Sequence, residues 1–143
     1  MNEKKCKFLF LDIGLVQRAC NLSLQLLFEK DLLLINDGAL AEQFVGQELL
    51  ATMGKEEENT LFAWNREEKS STAEVDYLIA VNANIVPIEV KAGATGSLRS
   101  LKIFLEEKKV PLGIQISEKP FSRQGNILSL PFYLIEQLPR LVL

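Results

Sequence analysis

The spacing of apolar residues changes from segment to segment along this chain, and each spacing predicts a different element. Residues 6–11 form a short apolar run that predicts a buried strand ending at Asp12. Leucine-rich stretches at 14–20 and 23–33 predict two short helices. Asn36-Asp37-Gly38 is a helix start signal with Asp37 as N-cap, followed by a helical period over residues 39–53 that Gly54 stops. Residues 55–59 are charged and predict an exposed loop. Residues 60–65 predict a strand with Phe62 and Trp64 on one face, and the polar residues 66–72 a hairpin connection. Residues 73–81 and 85–91 predict two further strands, joined by a tight Asn82-Ala83-Asn84 turn as an antiparallel hairpin. A flexible turn at 92–96 leads into a helix over residues 97–109, with Leu98, Leu101, Phe104 and Leu105 as its apolar stripe. Strands at 112–117 and 126–130 and a terminal helix at 132–138 complete the pattern.

The elements therefore run helix, three strands, helix, strand. Hairpin connections make the first three strands antiparallel. The strand–helix–strand step over 85–91, 97–109 and 112–117 implies a right-handed parallel crossover. The expected fold class is α/β: a mixed central sheet with the 39–53 helix on one face and the 97–109 helix on the other. At 143 residues the chain predicts one domain. Its parts are an N-terminal strand and leucine-rich helices (1–36), a core (37–117) and a C-terminal strand and helix (118–143).

One polar pattern interrupts the apolar strands. Glu89 and Lys91 sit in Ile88-Glu89-Val90-Lys91, and Asp76 sits in Ala73-Glu74-Val75-Asp76-Tyr77-Leu78-Ile79. Residues two apart on a strand share a face, so Glu89 and Lys91 project together, away from Ile88 and Val90. Folding the hairpin at Asn82–Asn84 brings Asp76 directly or diagonally across from Glu89. Two carboxylates and a lysine then share one patch, the requirement of a divalent-metal phosphodiester-cleaving site. Each residue alone also has an ordinary reading. Asp76 would bond neighbouring backbone groups, and Glu89 with Lys91 would be an edge-strand charge pair of little energetic worth.

Composition narrows the chemistry. The chain is 48% apolar and 24% charged, as expected of a soluble globular protein. It has no histidine, which excludes serine–histidine triads and His-ligated zinc. The net charge of −3 gives no global pull toward DNA or RNA, so binding either needs a local basic patch. Cys6 and Cys20 lack metal-ligand spacing and read as buried thiols of a reducing compartment. The lysines before Phe8-Leu9-Phe10-Leu11 do not make a signal peptide, since Asp12 cuts the apolar run short, and no stretch is long enough to span a membrane. A cytoplasmic protein without membrane contact is the expectation.

The arrangement of Asp76 on the second core strand and Glu89-x-Lys91 on the third resembles the PD-(D/E)XK nuclease superfamily, the restriction-endonuclease-like fold, over residues 38–117. Glu74-Val75-Asp76 is similar to the variant motif in which the proline is replaced. A second resemblance rests on more of the chain. Its motifs are Leu11-Asp12-Ile13-Gly14-Leu15, Gly38-x-x-x-Glu42-x-Phe44-Val45-x-x-Glu48-Leu49, Trp64, Ala73-Glu74-Val75-Asp76-Tyr77, Pro87-Ile88-Glu89-Val90-Lys91 and Asn126-Ile127-Leu128-Ser129-Leu130-Pro131. Together they are similar to a domain-of-unknown-function family found at the C-terminus of bacterial and archaeal AAA-type ATPases.

The resemblance implies a core of order α-β-β-β-α-β and a Mg²⁺ or Mn²⁺ site held by Asp76, Glu89 and Glu42, with the Val90 carbonyl as a further ligand. Asp76, Glu89 and Lys91 would be the catalytic set. Lys91 would position the attacking water or neutralise the phosphate. It also implies partners: an upstream ATPase and winged-helix segment of a parent chain, and DNA or RNA. No GxxxxGK[ST] loop occurs here, so ATP hydrolysis is not expected of this chain. Helical geometry by itself nominates Glu48, centred on the apolar face of 39–53, as the acid with a buried task, whereas the family pattern nominates Glu42.

The remaining features read more simply. Glu74 shares the face of Asp76 and reads as the solvent end of its strand or a supporting acid. Arg99, Lys102, Lys108 and Lys109 are offset by Glu106 and Glu107, which makes a solvated helix face. The Gly93–Gly96 turn lacks a phosphate-binding fingerprint. Residues 22–34 offer a leucine-rich surface for self-association or for an upstream domain. Two functions follow: a metal-dependent nuclease, or a catalytically silent nuclease-fold module that docks or grips nucleic acid for the ATPase.

Overall fold

Asn82 and Ala83 both adopt positive φ, 50° and 64°, the combination of a two-residue hairpin turn whose twist matches that of the flanking strands. This turn fixes the register of β2 (Ser71–Val81) against β3 (Asn84–Val90), from Val81↔Asn84 to Tyr77↔Ile88. The computed structural model describes residues 7–20, 38–52, 60–68, 71–93 and 97–142. β1 (Phe62–Glu68) pairs antiparallel with β2. β4 (Gly113–Ser117) and β6 (Ile127–Pro131) are parallel additions on the other side of β3, and β5 (Ser122–Gln124) closes the edge antiparallel to β6. The result is a six-stranded mixed sheet of order β1-β2-β3-β4-β6-β5. β4 joins only at Ile88, one residue after Pro87, so the residue without an N–H sits where β3 has a single neighbour.

Among the described residues four α-helices accompany the sheet: α1 (Ile13–Ala19), α2 (Ala39–Thr52), α3 (Arg99–Lys108) and α4 (Leu138–Leu141). The chain is α/β, and α2-β1-β2-β3-α3-β4 follow one another in the expected order. Among the described residues two apolar clusters hold the layers. Ala41, Val45 and Leu49 of α2 pack with Tyr77, Ile79, Ile88, Ile114, Ile116 and Leu130 of the strands. Leu101 and Leu105 of α3 pack instead with Ile127. Ile88, Ile114, Ile116 and Leu130 are completely buried, and each such side chain contributes about 1.5–3 kcal/mol to folding. Trp64 meets Phe104 of α3 edge to face, with ring centroids 5.1 Å apart.

Several elements depart from the expectations. Residues 7–10 are not a strand, and Phe8 and Leu11 are 87% and 93% exposed. The segment is held instead by side chains of α2: Phe10 N–H donates to Gln43 Oε1 (3.1 Å), and the amides of Gln43 and Gln47 both donate to Phe10 O (3.0 Å). Phe62 and Trp64 do not share a face. A bulge between them shifts the register from Phe62↔Leu78 to Trp64↔Val75, and Phe62 is 61% exposed. The terminal segment is a 3-10 helix (Phe132–Gln137) before it becomes α4, since Pro139 has no N–H to bond the carbonyl of Ile135 four residues back.

β5 was not expected, because Ser122-Arg123-Gln124 carries no apolar alternation to signal a strand. Cys20 is exposed rather than buried. Asp37, Gly54, Cys6, the 23–33 helix, the 22–34 surface, the 55–59 loop and the end of the 92–96 turn lie outside the described residues. Among the described residues no helix is long and apolar enough to cross a membrane.

Candidate carboxylate and lysine site

The β2–β3 ladder stops at Tyr77↔Ile88, and the next group to satisfy β3 is a side chain. Val90 N–H donates to Asp76 Oδ2 at 2.8 Å, so the aspartate carboxylate stands where a strand carbonyl would otherwise bond. Beyond that point the backbone of β3 turns to β4, and Lys91 N–H donates to Ile116 O at 2.8 Å. The splay leaves room for polar side chains between the strand ends. Glu89 is 5% exposed, and its Oε1 accepts from Lys91 Nζ at 2.6 Å. Asp76, Glu89 and Lys91 therefore gather at the open end of the hairpin, as the alternation of the two strands led us to expect.

Glu42, on the first turn of α2, reaches the same cluster, whereas Glu48 takes no part in it. The helix periodicity that favoured Glu48 treated α2 as covered along a single stripe. In the fold α2 is also covered by the 7–10 segment, which buries Gln43 and leaves Glu48 half-buried. Glu74 also joins the cluster from β2, by way of Lys7.

Lys7 was not anticipated. Its ammonium lies 3.1 Å from Asp76 Oδ1, 3.2 Å from Glu42 Oε2 and 3.3 Å from Glu74 Oε1. It also sits 5.5 Å from the centroid of the Tyr77 ring. The position is built. Leu9 lies against Gly46, where a Cβ would meet Leu9 Cδ2 at 2.7 Å and Tyr77 Oη at 2.8 Å. Tyr77 Oη in turn donates to Glu42 O at 2.8 Å, which fixes the ring beneath the ammonium. No short-range pattern pointed to Lys7, because its partners are 35 to 69 residues away.

Among the described residues the electrostatics follow from four carboxylates sharing two ammonium groups. Burial pushes the Glu89 carboxyl up to about 7, and the Asp76 charge adds to this against the pull of Lys91. Burial, then the Asp76 charge, also raises Glu42. Burial pulls the Lys7 ammonium down, but the Asp76 and Glu42 carboxylates together outweigh it and raise Lys7. Among the described residues Glu89 Oε2 is buried with no hydrogen-bond partner.

A buried polar row extends from this point across the parallel strands. Glu89 is in register with Gln115, and Gln115 with Ser129; Ser129 Oγ donates to Gln115 Oε1 at 3.2 Å. Single polar residues inside Ile114-Gln115-Ile116 and Leu128-Ser129-Leu130 were the available signal for this row.

Residues 37–133 match the model of a domain of unknown function, DUF4143. The chain belongs to the DUF4143 family. Comparison with curated proteins and with solved structures gave no match. The matched range of the DUF4143 domain contains Glu42, Glu74, Asp76, Glu89 and Lys91, while Lys7 and the segment that carries it precede the match.

The donor chemistry of the DUF4143 site suits a hard divalent cation: oxygen ligands only, an excess of carboxylate, and one buried oxygen with no partner. Among the described residues, however, no group of three or more acidic, cysteine or histidine side chains is arranged to hold a metal ion. The Lys7 ammonium lies 3.1–3.3 Å from three of these carboxylates.

Proposed function

We propose that this DUF4143 domain is a magnesium- or manganese-dependent phosphodiester hydrolase of the PD-(D/E)XK type, acting on DNA or RNA and carried by an AAA-type ATPase. The observation that carries the reading is the gathering of Asp76, Glu89 and Lys91 where the β2–β3 ladder stops, with Glu89 Oε2 buried and, among the described residues, unpartnered. An oxygen in that state gains a partner when a cation enters. The α-β-β-β-α-β order of α2 to β4 supports the same reading.

Asp76 and Glu89 would hold the ion, with Glu42 completing its surroundings from α2. A bound divalent ion supplies an acidified water and stabilises charge on the phosphoryl group. Lys91, held by Glu89 at 2.6 Å, would supply a positive charge to orient the phosphate or the attacking water. The Asp76 bond to Val90 N–H fixes the carboxylate before any ion arrives, so little reordering is needed on binding.

Calorimetric titration with Mn²⁺ tests the site. Asp76→Asn keeps an acceptor for Val90 N–H and removes the charge, and it should weaken Mn²⁺ binding at least about tenfold. Equal, negligible binding by wild type and variant would remove the metal site from consideration. Cleavage of DNA or RNA that survives Lys91→Ala would take Lys91 out of the mechanism.

A second reading is favoured by one contact: the Lys7 ammonium already pairs with Glu42, Glu74 and Asp76. On that reading the fold is a silent module that docks on the ATPase or grips nucleic acid. It predicts no hydrolysis with any divalent ion, and association with the ATPase segments supplied separately.

A further inference from the structure

Lys7 is not a stray surface lysine. The segment bearing it is fastened three residues later by three hydrogen bonds between Phe10 and the amides of Gln43 and Gln47. Leu9 is seated on Gly46 of α2, where a side chain would exclude it. The strap so formed delivers a single cation to the point shared by three carboxylates from two elements, α2 and β2. Among the described residues nothing comparable reaches Glu89 Oε2, which is left without a partner in the same cluster.

An ammonium at 3.1–3.3 Å and a divalent ion at about 2.0–2.6 Å would draw on the same oxygen lone pairs, and their like charges repel. Both cannot be held by Glu42 and Asp76 at once. Resting on the metal-site reading above, we propose that Lys7 is the resident cation of the site. Its ammonium and a divalent metal ion compete for the Glu42, Glu74 and Asp76 carboxylates, and the 7–10 strap thereby sets the metal affinity. The end of the strap at Lys7 leaves the cluster when metal enters, while its fastening at Phe10 persists.

The coupling has the usual reciprocity: whatever displaces the Lys7 ammonium tightens metal binding, and metal weakens the hold on that ammonium by the same factor.

The test measures both halves of the linkage on the 143-residue chain. Lys7→Met keeps the aliphatic stem and removes the charge; it should bind Mn²⁺ about tenfold or more tightly than wild type by calorimetry, and Lys7→Arg should remain near wild type. In wild-type protein, acetylation of Lys7 by an amine-reactive reagent, read by mass spectrometry, should rise at saturating Mn²⁺. Acetylation of the exposed Lys102 should not change. If Lys7→Met and wild type bind Mn²⁺ equally and Asp76→Asn abolishes binding, the competition is overturned and the metal site stands. Lys7 labelling that is indifferent to saturating Mn²⁺ overturns it as well, without relying on any variant to fold. If wild type, Lys7→Met and Asp76→Asn all fail to bind, the metal site falls and the competition with it.

Discussion

The two ends of the β2–β3 hairpin are built on opposite principles. At the closed end two residues with positive φ, Asn82 and Ala83, turn the chain, and the exposed Ile85 follows at once. Everything there is decided by neighbours in sequence. At the open end the ladder gives way to the Asp76 carboxylate, and the groups that meet it come from α2 and from a segment 69 residues upstream. The closed end holds the register, and the open end uses that register to gather charge. A strand pair thus separates its structural work from its chemical work along its own length, and substitutions at the two ends should behave differently.

The largest difference is expected at Asp76. Asp76→Ala leaves Val90 N–H buried without an acceptor and takes one of three carboxylates from Lys7, so it should lower unfolding stability by about 2–4 kcal/mol in urea titration. Asp76→Asn keeps an acceptor and should lose clearly less. If the two variants are equally destabilised, the backbone bond is not what holds the open end.

Next is Glu89, where the open end carries a group the fold destabilises when charged. Its carboxyl lies at about 7, above the ordinary 4.5. A folded value above the unfolded one contributes stability that is complete below about 4.5 and is lost as pH rises to about 7, with no further loss above. Glu89→Gln removes that dependence. In the presence of chelator it should be more stable than wild type at pH 8 by about 1–3 kcal/mol and show little advantage at pH 4. A constant difference between the two proteins from pH 4 to pH 8 would refute the assignment. Asp76 and Glu89 would then stand side by side with opposite effects, one needed for folding and the other tolerated at its expense.

The smallest effect belongs to the closed end. Ala83 holds a φ of 64° that glycine adopts freely, so Ala83→Gly should stabilise the fold by about 1 kcal/mol or less. Mn²⁺ affinity should stay within about twofold of wild type. A large change in metal binding from this turn would mean the two ends are not independent.

Much of the scaffold was legible because its signals are local. The alternation in 73–81 and 85–91, the Asn82-Ala83 turn and the Leu101, Phe104 and Leu105 stripe of α3 each follow from residues within one or two turns of chain. The bulge at Phe62–Trp64 was not legible, since it depends on how β1 settles against β2. Nor was the non-strand path of residues 7–10, whose apolar run gives no sign of its attachment to Gln43 and Gln47. The choice between Glu42 and Glu48 failed on periodicity for the same reason, because α2 is covered from two sides.

By itself the amino-acid sequence determined the α/β order, the shared face of Glu89 and Lys91 and the hairpin that brings Asp76 beside them, because strand geometry and turn chemistry act over a few bonds. Only the tertiary structure decided which cation meets those carboxylates. Lys7 arrives through contacts whose sequence separation no local rule spans, and its place is set by the packing of Leu9 on Gly46 and the bonds at Phe10.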